Sequence, residues 1–172
     1  MSVASSGMYP VAAIPEVKLN GGGNMNTNLA GIIKVSATGN TIRLLNLPLS
    51  FKSVGSYISI ATGTTVTIKD STGTTLGTGI VATSSNTATT VVSLTTSDAA
   101  GYKINGGSYA MLYVYPNITL TGGDVATQKV QTSLGSNTLF TWKDVEGGAT
   151  ITTSANLLKA NYDVDSAMEV LN

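Results

Sequence analysis

The sequence predicts an all-β fold, a β-sandwich of the Ig-like or jelly-roll-like kind, on three observations. Apolar residues recur with a period of two over most of the 172 residues, which is the spacing of a strand with one buried face. Threonine, a β-branched residue that stiffens a pleat while presenting a hydroxyl, crowds the apolar runs. Clusters of Gly, Asn, Asp and Ser interrupt those runs at roughly regular intervals, as turns between short strands do.

The strands expected in chain order are 12–19, 29–37, 41–51, 57–61, 64–70, 75–82, 88–95, 108–115, 126–134, 139–143 and 149–153. The turns between them fall at 20–26, 38–40, 70–74, 83–86, 105–107, 121–124 and 146–148, where glycine supplies positive φ and Asn or Asp bonds back to the local backbone. From Thr65 to Leu94 the only charges are Lys69 and Asp70, read as a pair at the mouth of a turn. Val66 and Ile68 are expected to face a core, with Thr65, Thr67 and Lys69 outside. Pro10 and Pro15 cannot donate to a ladder, so residues 1–19 read as an edge strand or extended arm. The sandwich is expected over 20–153. Residues 154–172 change character into a helical tail. Ser154 or Asn156 would cap a short helix through Asn161, and Asp163 or Asp165 a second that turns Val164, Ala167, Met168 and Leu171 inward.

Composition narrows the function. Histidine and cysteine are both absent, which removes the commonest general base, the usual zinc ligands and thiolate chemistry. Nine basic residues balance nine acidic ones and charged residues make up 10% of the chain, so no basic stripe can track phosphates and no nucleic-acid partner is expected. No run approaches 18 apolar residues, so no helical membrane insertion is expected. The first twenty residues lack a basic start and an unbroken apolar core, so no signal peptide is expected. A surface this poor in charge is covered by hydroxyls and amides, as on proteins that face the exterior or one another.

Over residues 9–144 the order of elements resembles the tandem β-sandwich modules of surface-layer-like proteins from candidate-phyla bacteria. The segments that carry the resemblance are "AGIIKVSATGNTIRLLNLPLSF", "VTIKDSTGTTLGTG", the threonine-rich run after it, "YAMLYVYPNITLTGGD" and "NTLFTWKD". The resemblance implies a spacer or lattice-forming piece and no enzymatic activity. The ends depart from it: the chain starts afresh at Met1 and finishes with a tail in place of a further module, which is equally the look of a virion component such as a capsid decoration protein.

Three candidate sites stand beside plainer readings. Asp163, Asp165 and Glu169 could hold a calcium ion together with backbone carbonyls; helix capping is the plainer role. Asp124, Asp144 and Glu146 would make a metal site only if their turns converged. Tyr109, Tyr113 and Tyr115 share one parity and could stack on sugars, with Tyr57, Tyr102 or Trp142 nearby; filling a core or a subunit interface is the plainer role. Asn117, Ile118 and Thr119 form a glycosylation sequon, and no "GxSxG" elbow is present.

The function expected is that of a non-enzymatic structural protein on the exterior of an assembly, a virion surface or a cell-surface lattice or filament. Its partners would be copies of itself or other structural proteins, met through terminal arms and strand edges. The alternative is a glycan- or receptor-binding module using the Tyr109 to Tyr115 face and the loops around Asn105 and Gly122.

Overall fold

The structure is a computed structural model that describes residues 7–12, 24–25, 29–54, 56–82, 87–96, 99–120, 129–135, 139–146, 150–152 and 169–170. The described residues form β1 (Gly7–Ala12), β2 (Asn24–Met25), β3 (Gly31–Thr38), β4 (Ile42–Val54), β5 (Ile58–Ser59), β6 (Thr65–Lys69), β7 (Thr75–Ile80) and β8 (Thr87–Thr96). After these come β9 (Ala99–Ala100), β10 (Tyr102–Ile104), β11 (Tyr109–Pro116), β12 (Ile118–Leu120), β13 (Lys129–Leu134), β14 (Thr141–Asp144), β15 (Thr150–Thr152) and β16 (Glu169–Val170). The all-β expectation holds, and among the described residues there is no helix.

One antiparallel sheet runs β1-β3-β11-β6-β7-β8-β4-β13-β16 and curls into a nearly closed, barrel-like wrap. Inside the wrap β13 touches the start of β3: the buried Thr132 hydroxyl donates to the Ala30 carbonyl at 2.7 Å. A Cβ on Gly31 would stand 3.0 Å from that of Thr132. A small sheet, β2-β12-β5, continues from the end of β11 and adds Ile58 and Ile118 to the core.

The core forms because alternate residues of each strand face inward. In β11 these are Ala110, Leu112 and Val114; in β6, Val66 and Ile68; in β8, Ala88, Val92 and Leu94. Phe51, Phe140 and Trp142 are the largest aromatic residues among them.

Strand β4 is the spine, paired along one side with β8 and β10 and along the other with β13 and β14. Its inward parity changes midway, since Ile42 and Leu44 are buried and so are Leu47, Leu49 and Phe51. A bulge absorbs the change: Trp142 pairs with Leu44 and Thr141 with Asn46, leaving Leu45 as the extra residue. Asn46 ties both neighbours at this point, donating to Thr141 Oγ1 at 2.7 Å and accepting from Ser93 Oγ at 3.0 Å. Pro48 is tolerated in so central a strand because its ladder side faces the place where β13 ends; its carbonyl accepts from Gly135, one residue past Leu134.

The β7–β8 crossing depends on two glycines. A Cβ on Gly77 would overlap the Ser93 carbonyl oxygen, and one on Gly79 would stand 2.6 Å from Thr90 Oγ1. The backbones therefore approach closely, and the buried Thr90 hydroxyl donates to the Ile80 carbonyl at 2.9 Å.

Two expectations for the termini change. The N-terminal strand occupies Gly7–Ala12 and pairs with β3, Pro10 facing Val35 across the ladder; the expected strand at 12–19 lies, beyond Ala12, outside the described residues. At the other end, where a second helix is expected, Glu169–Val170 is a strand bridging Val130 and Lys129. The outer row of backbone groups on β13 offers that segment a partner, which local helix signals do not anticipate. The rest of the expected tail, 154–168 and 171–172, lies outside the described residues.

Candidate functional site

The outward side of β3, β11 and β6 carries a cluster in which aromatic and charged side chains from several strands meet. Strict alternation along β11 buries Ala110, Leu112, Val114 and Pro116 and turns Tyr109, Met111, Tyr113 and Tyr115 away from the core. The core role weighed for the tyrosines is thereby corrected. The smaller aliphatic residues between them fill the interior, and the phenol rings keep a wet side. Tyr109 is 61% exposed, and Tyr113 and Tyr115 are half-buried.

Register brings two lysines to this row. Met111 pairs with Lys34 of β3, and Tyr113 pairs with Ile32 of β3 and with Lys69 of β6. The Lys34 ammonium lies 4.3 Å from the centre of the Tyr109 ring, and the Lys69 ammonium 5.0 Å from that of Tyr115. Both are within reach of a cation–π attraction, in which the negative face of the ring meets the positive charge. Ile32, buried yet outside the core cluster, fills the position across from Tyr113.

Lys69 thus lies over an aromatic ring, and Asp70 serves the turn itself. One Asp70 oxygen accepts from the Thr72 hydroxyl at 2.6 Å and from the Thr72 and Thr74 amides, each at 2.9 Å. The Thr72 hydroxyl bond is the chief reason its carboxyl is held below the usual range; partial desolvation opposes the shift, and the turn amides reinforce it. Gly73 completes the reversal at φ 86°.

The other candidates are placed as follows. Trp142 is 2% exposed within the core and so is not open to a ligand. Tyr102 packs against that core, with its hydroxyl pKa raised by burial and then by the Asp70 charge. Tyr57 is exposed just before β5. Asp144 accepts from Asn40 Nδ2 at 3.2 Å and from the Glu146 amide at 2.9 Å, which makes it a turn acceptor. Asp124, Gly122, Asp163 and Asp165 lie outside the described residues, while Glu169 is placed in β16. Among the described residues no three His, Cys, Asp or Glu side chains gather as a metal cage. In the sequon, Asn117 sits at the β11–β12 junction, its amide donating to the Thr65 carbonyl and its side-chain oxygen buried without a hydrogen-bond partner.

Sequence reasoning found the tyrosine row from its parity and missed the lysines that join it. No local pattern could reveal them, since Lys34 and Lys69 reach β11 by strand pairing alone. No family model, curated protein or solved structure matches the chain. Fold and surface together define a class, an antiparallel all-β protein with an aromatic, lysine-flanked outer face, and nothing narrower.

Proposed function

We propose that this chain is a non-enzymatic structural protein of an outward-facing assembly, a virion decoration or capsid-associated protein or a subunit of a cell-surface lattice or filament. On this reading the wrapped sheet is a sandwich of the Ig-like or jelly-roll-like kind. The observation that carries the proposal is the make-up of the sheet's two ends: β1 stands at one and β16 at the other. Terminal strands are thus where a neighbour's strand would add, its backbone groups completing the ladder. The exposed positions of β6, β7 and β8, Thr65, Thr75, Thr78, Ser93 and Thr95 among them, supply the hydroxylated, nearly uncharged surface such a subunit presents.

A specific contact of this kind buries roughly 1,000 Å² or more. The test is the mass of the full chain by light scattering, with negative-stain microscopy of the same sample. Closed oligomers, lattices or filaments are expected, and removal of residues 1–12 together with 169–172 should leave a folded monomer. Assembly unchanged by that removal would sink the proposal, and a strict monomer at high concentration in the full chain would remove the lattice and filament readings and leave decoration of another protein's assembly.

A further inference from the structure

The geometry points to the outer face of β3, β11 and β6 as a binding site for an acidic polysaccharide, a linear glycan bearing carboxylates or sulfates. This inference is independent of edge-mediated assembly, because it uses a face of the sheet and not its ends. Three features of the face select that ligand.

The first is shape and surface chemistry. Tyr109, Met111, Tyr113 and Tyr115 form a straight row along one strand, with successive side chains about 7 Å apart. Sugar rings present apolar C–H faces that stack on phenol rings, while the phenol hydroxyls hydrogen-bond sugar hydroxyls. An extended glycan can lie along such a row.

The second is charge. The outward positions described on β3, β11, β6 and β7 are Ile32, Lys34 and Ser36; Tyr109, Met111, Tyr113 and Tyr115; Thr65, Thr67 and Lys69; and Thr75, Thr78 and Ile80. Two are ammonium ions and none is a carboxylate, although acids and bases balance over the whole chain. Asp70, which follows Lys69 in the chain, is engaged by its own turn.

The third is the placement of that charge. Lys34 and Lys69 approach β11 from opposite sides and one same-face step apart, so their strand positions lie roughly 12 Å apart on the diagonal of the sheet. Each ammonium is held over a ring and keeps N–H groups to donate. Two cations, one over the ring at each end of an aromatic row roughly 20 Å long, match an extended polymer that carries several acids along its length. They are too few to carry nucleic-acid affinity, which grows with the number of phosphates neutralised.

The test is affinity electrophoresis of the full chain through gels containing polygalacturonate, with dextran as the neutral polymer. Retardation by polygalacturonate alone is expected, weakened at least tenfold in the Lys34→Gln/Lys69→Gln double variant and in Tyr109→Ala, and lost as salt is raised toward 1 M. Unchanged thermal melting of these surface variants shows that they fold. No retardation of the wild type, equal retardation by dextran, or retardation undiminished in the folded double variant would each overturn the inference. So would light scattering that shows Tyr109→Ala dissolving a dimer, since the face would then belong to a second copy of the chain.

Discussion

Strands β4 and β11 are both long, both paired on two sides and both lined with apolar residues, yet they do opposite work. Along β4 the alternation is broken at Leu45, and the break is fastened by Asn46 to β8 and β14. Along β11 the alternation is unbroken, and the outer half of its residues is left to solvent and to two lysines. A strand on which neighbours converge from both sides must bend to serve them, and its sequence is constrained almost residue by residue. A strand that meets the core on one face alone is free to carry something else on the other, which is where a binding surface can reside without cost to folding.

The comparison breaks most visibly in the core. Phe51→Ala, at the fully buried end of β4, is expected to cost about 3–5 kcal/mol, because transfer free energy is lost and a cavity is left. Chemical denaturation measures this directly, and a loss below about 1 kcal/mol would show that β4 is not the spine. A step smaller is Asn46→Ala, which removes both ties at the bulge and should cost about 1–3 kcal/mol. Pairing it with Thr141→Val in a double-mutant cycle separates the β14 tie from the β8 tie, and strict additivity would mean that the Asn46–Thr141 bond contributes nothing.

Beside β11, Asp70→Asn at the β6–β7 turn should cost about 1 kcal/mol near neutral pH, chiefly through weaker bonds to Thr72 and Thr74. Because the folded carboxyl is held below its ordinary range, the stability it contributes is fully present above that range. It is lost as pH falls through the folded value. Wild type and variant should therefore converge as pH falls below the ordinary carboxylate range; a gap that stays constant on acidification would remove the carboxylate from the account. Smallest of all is Tyr109→Ala on the outer row, where a change within about 0.5 kcal/mol is expected for so exposed a side chain. A large loss there would return the tyrosines to a packing role and erase the contrast between the two strands.

Much of the strand plan is legible in the sequence, for a local reason. The expected segments 29–37, 64–70, 88–95 and 108–115 coincide, within a residue or two at each end, with β3, β6, β8 and β11, since period-two burial writes itself directly into the order of residues. The inward direction of Val66 and Ile68 and the outward direction of Thr65, Thr67 and Lys69 follow from the same alternation. Three features were not legible. The bulge leaves a mark, two leucines in succession before Asn46, but its meaning depends on which strands lie alongside. The bridge at Glu169–Val170 depends on an edge supplied by β13, distant in the chain. The small strands β2, β9 and β10 are two or three residues long, too short for any period to show, whereas β5 falls within the expected 57–61.

Parity alone decided that Tyr109, Tyr113 and Tyr115 share a face, and the absence of histidine and cysteine alone decided which chemistries they could not serve. Which face that is, interior or exterior, was decided only when the sheet closed and Ala110, Leu112 and Val114 filled the inside. Tertiary structure alone brought Lys34 and Lys69 to the row and sent Trp142 to the core. The physical reason is that alternation is a property of one strand, whereas register, closure and the meeting of charges are properties of strands that find one another across the chain.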